Sequence, residues 1–225
     1  MYGREYDGKT LRFEASGGLL YSALVMADKE TDSYWSIMTG DALAGPMRGT
    51  ALRELPLGVK VRWRDWVAAH PDTLVLSVDG EEHDRSNPYD SYFSSPETPF
   101  GATETDRRLS PKTPVYVFQR GGVAYAVPFA AFEDGEVFEL AGDDGEEIFL
   151  FRPKGEAIFY STLGWIGHFE RGADGRVRHL PSEAVFDPKK ERFIGGKGEV
   201  PRLDGFDTFW FHWSEVHPKT VLLGG

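Results

Sequence analysis

One sentence of sequence occurs twice in this chain. Residues 63–76 read WRDWVAAHPDTLVL and residues 210–223 read WFHWSEVHPKTVLL. Trp63 matches Trp210, Trp66 matches Trp213, His70 matches His217, Pro71 matches Pro218, Thr73 matches Thr220 and Leu76 matches Leu223. These six identities use four of the chain's six tryptophans, which chance explains poorly, and self-similarity at a fixed offset predicts one supersecondary unit used twice. On a helix Trp63, Trp66, Val67 and His70 share a face. Pro71 drives His70 out of helical geometry, so each copy predicts a short helix that ends at its histidine and passes straight into a strand. The tryptophans are expected in the core, with the histidine capping the last turn.

Elsewhere the chain is punctuated by Asp-Gly pairs at 7–8, 79–80, 134–135, 144–145, 174–175 and 204–205. Both residue types tolerate the positive φ of tight hairpins. Between them lie short aromatic and β-branched runs that read as strands: 11–13, 74–78, 115–118, 137–140, 148–151 and 157–160. Helical periodicity extends no further than about ten residues. It predicts three short helices, near 63–69, 128–132 and 208–216. The fold class expected is mainly β, at the margin of α+β, with two divergent repeats of an antiparallel unit packed as one body around Trp-anchored helices. Gly8 to Phe13 echoes Gly155 to Phe159, and Asp28 through Trp35 more faintly echoes Asp187 through Phe193. Unit one then spans 1–78. Residues 79–110, rich in Pro, Ser and acids, form a long connection whose aromatics (Tyr89, Tyr92, Phe93, Phe100) predict packing on the body. Unit two spans 111–225, with an extra strand, helix and hairpin block at its start.

Composition removes several functions. The 225 residues contain no cysteine, so disulfides, thiolate metal sites and cysteine nucleophiles are excluded. The formal charge is −11, which repels phosphate backbones, and Arg107-Arg108 and Lys189-Lys190 read as ordinary solvated charges. No nucleic-acid partner is expected. No apolar run approaches the ~20 residues that span a bilayer, and the first residues lack the apolar stretch of a signal peptide. The expectation is a soluble chain, cytoplasmic by default. A Gly-x-Ser-x-Gly elbow, a P-loop and a dinucleotide fingerprint are all absent. Gly195-Gly196-Lys197-Gly198 lacks Walker spacing and reads as a turn. The acidic run 143–147 lacks the alternating ligands of a calcium loop and reads as a solvated hairpin.

Histidines occur at 70, 83, 168, 179, 212 and 217. The helical His-x-x-x-His spacing of a zinc site is absent. His168 and Glu170 fall on one strand face, a pairing ordinary for a surface hairpin. A metal or proton-relay pair would require His70 and His217 to converge across a pseudo-twofold axis. Repetition argues against this, because duplicated folds keep core residues in both halves while sites diverge. Polar groups kept in one half only are the better candidates, and these lie at Tyr21, Ser22, Asp28, Trp35, Ser36 and Thr39. Against them the echo sets Gly167, Asp187, Phe193 and Gly195.

Several motifs taken together resemble a known family. They are Asp7 to Phe13, Ser16-Gly-Gly-Leu-Leu-Tyr-Ser22, Leu24-Val-Met26 with Asp28, and Thr31, Ser33 and Trp35-Ser36. Thr39-Gly40 with Ala42, Gly45-Pro46 and Gly49 belong to the same set. So do Trp63, Trp66, His70-Pro71, Thr73, Asn87-Pro88-Tyr89 and Gly121 to Pro128. The set is similar to the prokaryotic domain-of-unknown-function family 3179. The resemblance implies little chemistry. It implies relatives that are often exported or lipid-anchored, many with a Cys-Pro-Leu-Cys-like pair and a His-Glu upstream of the matched region. This sequence has no cysteine for such a pair. The function expected is a non-catalytic module that binds a small molecule, a glycan or a protein, with no cofactor. The alternative is a hydrolase-like enzyme using carboxylates or a divalent metal, with its site in the first unit.

Overall fold

The computed structural model describes residues 2–55, 58–76, 90–98, 106–132, 135–140, 145–153 and 160–224. The architecture is mainly β. After a small hairpin of β1 (Glu5–Tyr6) and β2 (Lys9–Thr10), the first half is an antiparallel meander of β3 (Phe13–Leu20), β4 (Ala23–Asp28), β5 (Tyr34–Ser36) and β6 (Ala42–Ala44). Leu11, Trp35, Ala42 and Leu52 form its core. Helix α1 (Trp63–Ala69) follows, then α2 (Asp90–Ser94).

The second half begins with the hairpin β7 (Pro114–Arg120) and β8 (Val123–Pro128). A single 3-10 turn at Phe129–Ala131 leads to β9 (Glu136–Leu140), β10 (Glu147–Phe151) and β11 (Leu163–Gly167), which form a three-stranded sheet. A second meander follows: β12 (Phe169–Arg171), β13 (Val177–His179), β14 (Val185–Asp187) and β15 (Arg192–Ile194). The chain ends with β16 (Gly205–Phe209), α3 (Trp210–Val216) and β17 (Val221–Leu222). β16 pairs with β7, while β17 adds in parallel to β8. Period-two alternation explains why β7 is central. Val115 and Val117 pack with Trp210 and Trp213 of α3, and Tyr116 and Phe118 pack with Ile148 and Leu150. The second meander is held by an aromatic cluster of Phe149, Phe151, Trp165, Phe169 and Phe186.

The two meanders share a distinctive turn. Asp28 N–H donates to Ser33 O (3.0 Å) and Asp32 N–H to Asp28 O (3.2 Å). Likewise, His179 N–H donates to Ala184 O (2.9 Å) and Glu183 N–H to His179 O (2.8 Å). Asp32 and Glu183 both adopt positive φ, 57° and 61°. The next turns match as well. Ser36 Oγ accepts from Met38 N–H and Thr39 N–H, and Asp187 Oδ1 accepts from Lys189 N–H and Lys190 N–H. Gly45 and Gly196 both have positive φ, and a Cβ at either would fall within 2.7 Å of the preceding turn. This register corrects the echo drawn from sequence. Asp28 corresponds in geometry to His179, Trp35 to Phe186 and Ser36 to Asp187. The echo slipped by one turn because Asp and an aromatic residue recur there at similar spacing. The other echo, Gly155 to Phe159, falls on 154–159, outside the described residues, as do His83, Tyr89, Phe100 and Asp143-Asp144 of the acidic run.

The Trp-x-x-Trp…His-Pro corners also match locally. His70 and His217 end their helices at φ/ψ of −132°/69° and −126°/72°. Each donates N–H to the second tryptophan's carbonyl at 2.8 Å, and each ring lies close against that indole, with centroids 4.1 and 4.2 Å apart. The surroundings differ. Trp210 and Trp213 are buried, whereas Trp63 is 57% exposed and α1 has no buried residue. The expectation of four core tryptophans is therefore corrected at Trp63, which is exposed, and at Trp66, which is only half-buried; among the described residues no sheet packs on α1 as β7–β8 packs on α3. Other expected elements also shift. Residues 11–13 contribute only Phe13 to a strand, residues 74–76 of the expected 74–78 strand lie in no strand while 77–78 fall outside the described residues, and α2 adds a helix that periodicity does not predict. Its Tyr92 and Phe93 pack on Phe209, so the connection rests on the body there.

Candidate functional site

The residues singled out in the first half separate into three groups. Asp28, Trp35 and Ser36 are buried. The Asp28 carboxylate accepts from Thr31 N–H (2.6 Å), Thr31 Oγ1 (2.7 Å) and the Trp35 indole N–H (2.7 Å). Burial alone would raise its pKa, but these donors hold it below the usual carboxylate range. Its lone pairs are spent on the turn and on fixing Trp35 in the core. Ser36 Oγ caps the next turn, and Thr39 Oγ1 accepts from Asp41 N–H (3.3 Å). Tyr21 and Ser22 form the β3–β4 turn, both at positive φ, with Tyr21 exposed.

That turn meets α3. The backbone of Ser22 hydrogen-bonds the His212 ring, and Asp41 lies close enough to His217 to act on its charge. Burial lowers both histidine pKa values, opposed at His212 by Ser22 and Glu215 and at His217 by Asp41. Nε2 of each is buried without a hydrogen-bond partner among the described residues. Of the first-half candidates only the Tyr21–Ser22 turn reaches α3, through Ser22 and His212, while Asp28, Trp35 and Ser36 lie inside the first meander. His70 lies elsewhere, on the cleft described next, and no contact among the described residues joins it to His217. No group of three or more His, Asp or Glu residues suited to a metal ion occurs among the described residues.

A cleft of about 750 Å³ opens between α1 and the β14–β15 turn, within the size range of small-ligand sites. The segment before α1 forms one wall, tied down by Ser161 N–H donating to Lys60 O (3.1 Å) and Lys60 N–H to Ser161 Oγ (2.6 Å). Lys60 Nζ also lies 3.4 Å from the buried Asp207 carboxylate. Behind this wall, Asp207 accepts from Thr162 N–H, and Thr162 Oγ1 accepts from Arg152. Trp66, His70 and Tyr160 present ring surface. The Trp66 indole N–H is fixed on Thr73 Oγ1 (2.9 Å), and the Tyr160 hydroxyl donates to Asp65. Lys189, Lys190, Arg192 and Arg202 complete the rim. The lining carries five cations and two carboxylates, Asp65 and Glu191, in a chain whose formal charge is −11. Lys189, Lys190, Arg192 and Arg202 form no ion pair among the described residues. Arg202 lies over the Trp165 ring at 4.7 Å. Arg192 and Arg202 also line a neighbouring cleft of about 340 Å³ against Gly195, Gly196 and Gly198, so the glycine-rich turn borders the same cationic surface.

Of this cleft, sequence reasoning isolated only His70. The available signal was local charge. Residues 187–202 carry five basic and three acidic side chains, a positive stretch that the strongly acidic total conceals. Tyr160 and Lys60 carry no such signal, because only the fold brings residues 60 and 161 together.

Compared with known proteins, the chain matches over residues 1–220 a family described as protein of unknown function (DUF3179), and it belongs to that family. No curated protein and no solved structure matches it.

Proposed function

We propose that this member of the family is a non-catalytic binding module whose cleft between α1 and the β14–β15 turn holds an acidic glycan or a small acidic ligand. The observation that carries this reading is the concentration of five cations around three aromatic rings in an otherwise anionic protein. Unpaired lysines and arginines supply charge-assisted hydrogen bonds to carboxylates. The adjoining Trp66 and His70 rings and Tyr160 supply apolar ring surface for a sugar or aromatic face. The acidic remainder of the molecule directs anions toward this one surface. Underneath lies a second proposal: the scaffold consists of two divergent copies of one unit, supported by the matched turns and corners.

Titration calorimetry with trigalacturonate, and with neutral maltotriose as control, tests the reading. Trigalacturonate should bind, more weakly as salt rises, and the triple variant K189A/K190A/R192A should lose at least about tenfold in affinity, roughly 1.4 kcal/mol. Equal binding of the two sugars, or unchanged affinity in the variant, overturns the reading.

A second reading has one observation in its favour. At the α3 seam, the rings of His212 and His217, whose Nε2 atoms are buried without a hydrogen-bond partner among the described residues, are influenced by Ser22 and Asp41 respectively, and this supports a hydrolase-like or divalent-metal site on the first-half side. A hydrolytic activity abolished by H217Q, with the fold intact, would select it.

A further inference from the structure

The glycine-rich turn after β15 differs from its first-half counterpart in where its backbone donors go. In the first meander the turn satisfies them internally. Met47 N–H donates to Ser33 Oγ (3.1 Å), Arg48 N–H to Gly45 O (3.1 Å), Gly49 N–H to Ala42 O (3.2 Å) and Thr50 N–H to Met47 O (3.1 Å). After β15, Lys197 N–H donates to Ser182 O (2.8 Å). Gly195, Gly196, Gly198 and Glu199 have N–H groups with no hydrogen-bond partner among the described residues. Gly196 is wedged against the backbone of Ser182 and Ala184, where a Cβ would meet atoms at 2.5 and 2.6 Å, so the turn is held in place. These four residues line the cleft of about 340 Å³ together with Arg192 and Arg202. Neither arginine forms an ion pair among the described residues, and Glu199 is the one carboxylate that the described lining contains.

Successive backbone N–H groups in a turn, set beside guanidinium groups in a concave surface, favour an oxyanion. A carboxylate offers two oxygens in one plane, and the fork of a single guanidinium occupies both. The terminal oxygens of a sulfate or phosphate monoester point in three directions, so they can accept from the arginines and the turn together. We propose that this pocket seats the sulfate or phosphate monoester of a sugar whose ring lies in the Trp66 cleft. Arg192 and Arg202 line both hollows and join them into one surface. The inference rests on the ligand reading of the cleft. It narrows that reading from acidic ligands in general to sugars esterified with a tetrahedral oxyanion.

The test titrates the 15N-labelled full chain with three maltotrioses that differ only at the C6 of the non-reducing end, which bears a sulfate, a phosphate or a carboxylate. At least one ester should bind about tenfold or more tightly than the carboxylate, and the tighter of the two identifies the oxyanion. The amides of Gly195, Gly196 and Gly198 and the Trp66 indole N–H should shift together. I194D adds a carboxylate to the lining of this pocket and not to that of the larger cleft. It should abolish the ester's advantage, while I194N, of the same shape without the charge, keeps it. Equal affinity for all three sugars, or equal effects of I194D and I194N, overturns the oxyanion seat; a Trp66 indole that still shifts then leaves the cleft reading standing. Glycine shifts with none at Trp66 also overturn the proposal, because the cleft then holds no ring.

Discussion

Replacing the matched tryptophans one at a time separates core from free surface. Trp210 is fully buried among Val115, Val117, Ala126 and Trp213. Its indole N–H donates to Asp106 O (3.3 Å), and the Arg108 guanidinium lies 5.2 Å from its ring. Truncation to alanine removes the largest side chain from a close-packed layer and leaves a cavity, a change that costs about 3–5 kcal/mol. Arg108, which also donates to Thr220 O (2.6 Å), loses its ring contact as well. Trp63 keeps more than half of its surface in water, so W63A removes at most ~1–2 kcal/mol of burial. For a chain of this size each kcal/mol shifts Tm by about 2–4 °C. W210A should therefore lower Tm by roughly 6–20 °C and W63A by no more than about 2–8 °C. Urea midpoints monitored by far-UV circular dichroism should follow the same order. Equal losses in the two variants would refute the assignment of one corner to the core and the other to open surface.

Three further outcomes follow from the same geometry. G45A and G196A should each cost about 2–3 kcal/mol, because both glycines adopt positive φ against backbone that leaves no space for a Cβ; a neutral result at either, by thermal melt, contradicts the matched turns. D28A should cost about 3 kcal/mol or more by leaving the buried Trp35 indole N–H and the Thr31 donors unpaired, and W35F combined with D28A should cost less than the sum of the two single changes. Acidification should weaken the fold. His179 is held below its ordinary value of 6.5 by burial and by His168, and burial depresses His212 and His217 as well. The unfolded chain then binds more protons in the window beneath that value, so this stabilisation is complete above about pH 6.5 and is lost as pH falls below it. The urea midpoint should drop between pH 7.5 and 5.5, and H179N should flatten part of that slope.

Local chemistry was legible in the sequence wherever a residue acts on its own neighbours. Pro71 and Pro218 stop their helices at the histidine, Asp7-Gly8 makes a hairpin, and the alternation of β7 shows which residues face α3. Long-range packing was not legible. Nothing in Trp63 distinguishes it from Trp210, because the difference is the β7–β8 hairpin, which among the described residues lies against α3 and not against α1. The polar residues Asp28, Ser36 and Thr39 looked like chemistry because their partners are turn N–H groups and, for Asp28, the Thr31 hydroxyl and Trp35 indole, which sequence composition does not reveal. The cationic cleft was hidden for the opposite reason. Its lysines and arginines read as solvated surface until the fold set them around Trp66 and Tyr160.

The most direct measurement is a titration of the 15N-labelled protein with trigalacturonate, followed by NMR. The Trp66 indole N–H and the amides of Lys189 through Arg192 should shift together and saturate with a single affinity, while the Trp35 indole N–H stays in place. Saturable shifts confined to the α3 seam at Ser22, His212 and His217, or none at Trp66, would contradict the cleft as the binding site.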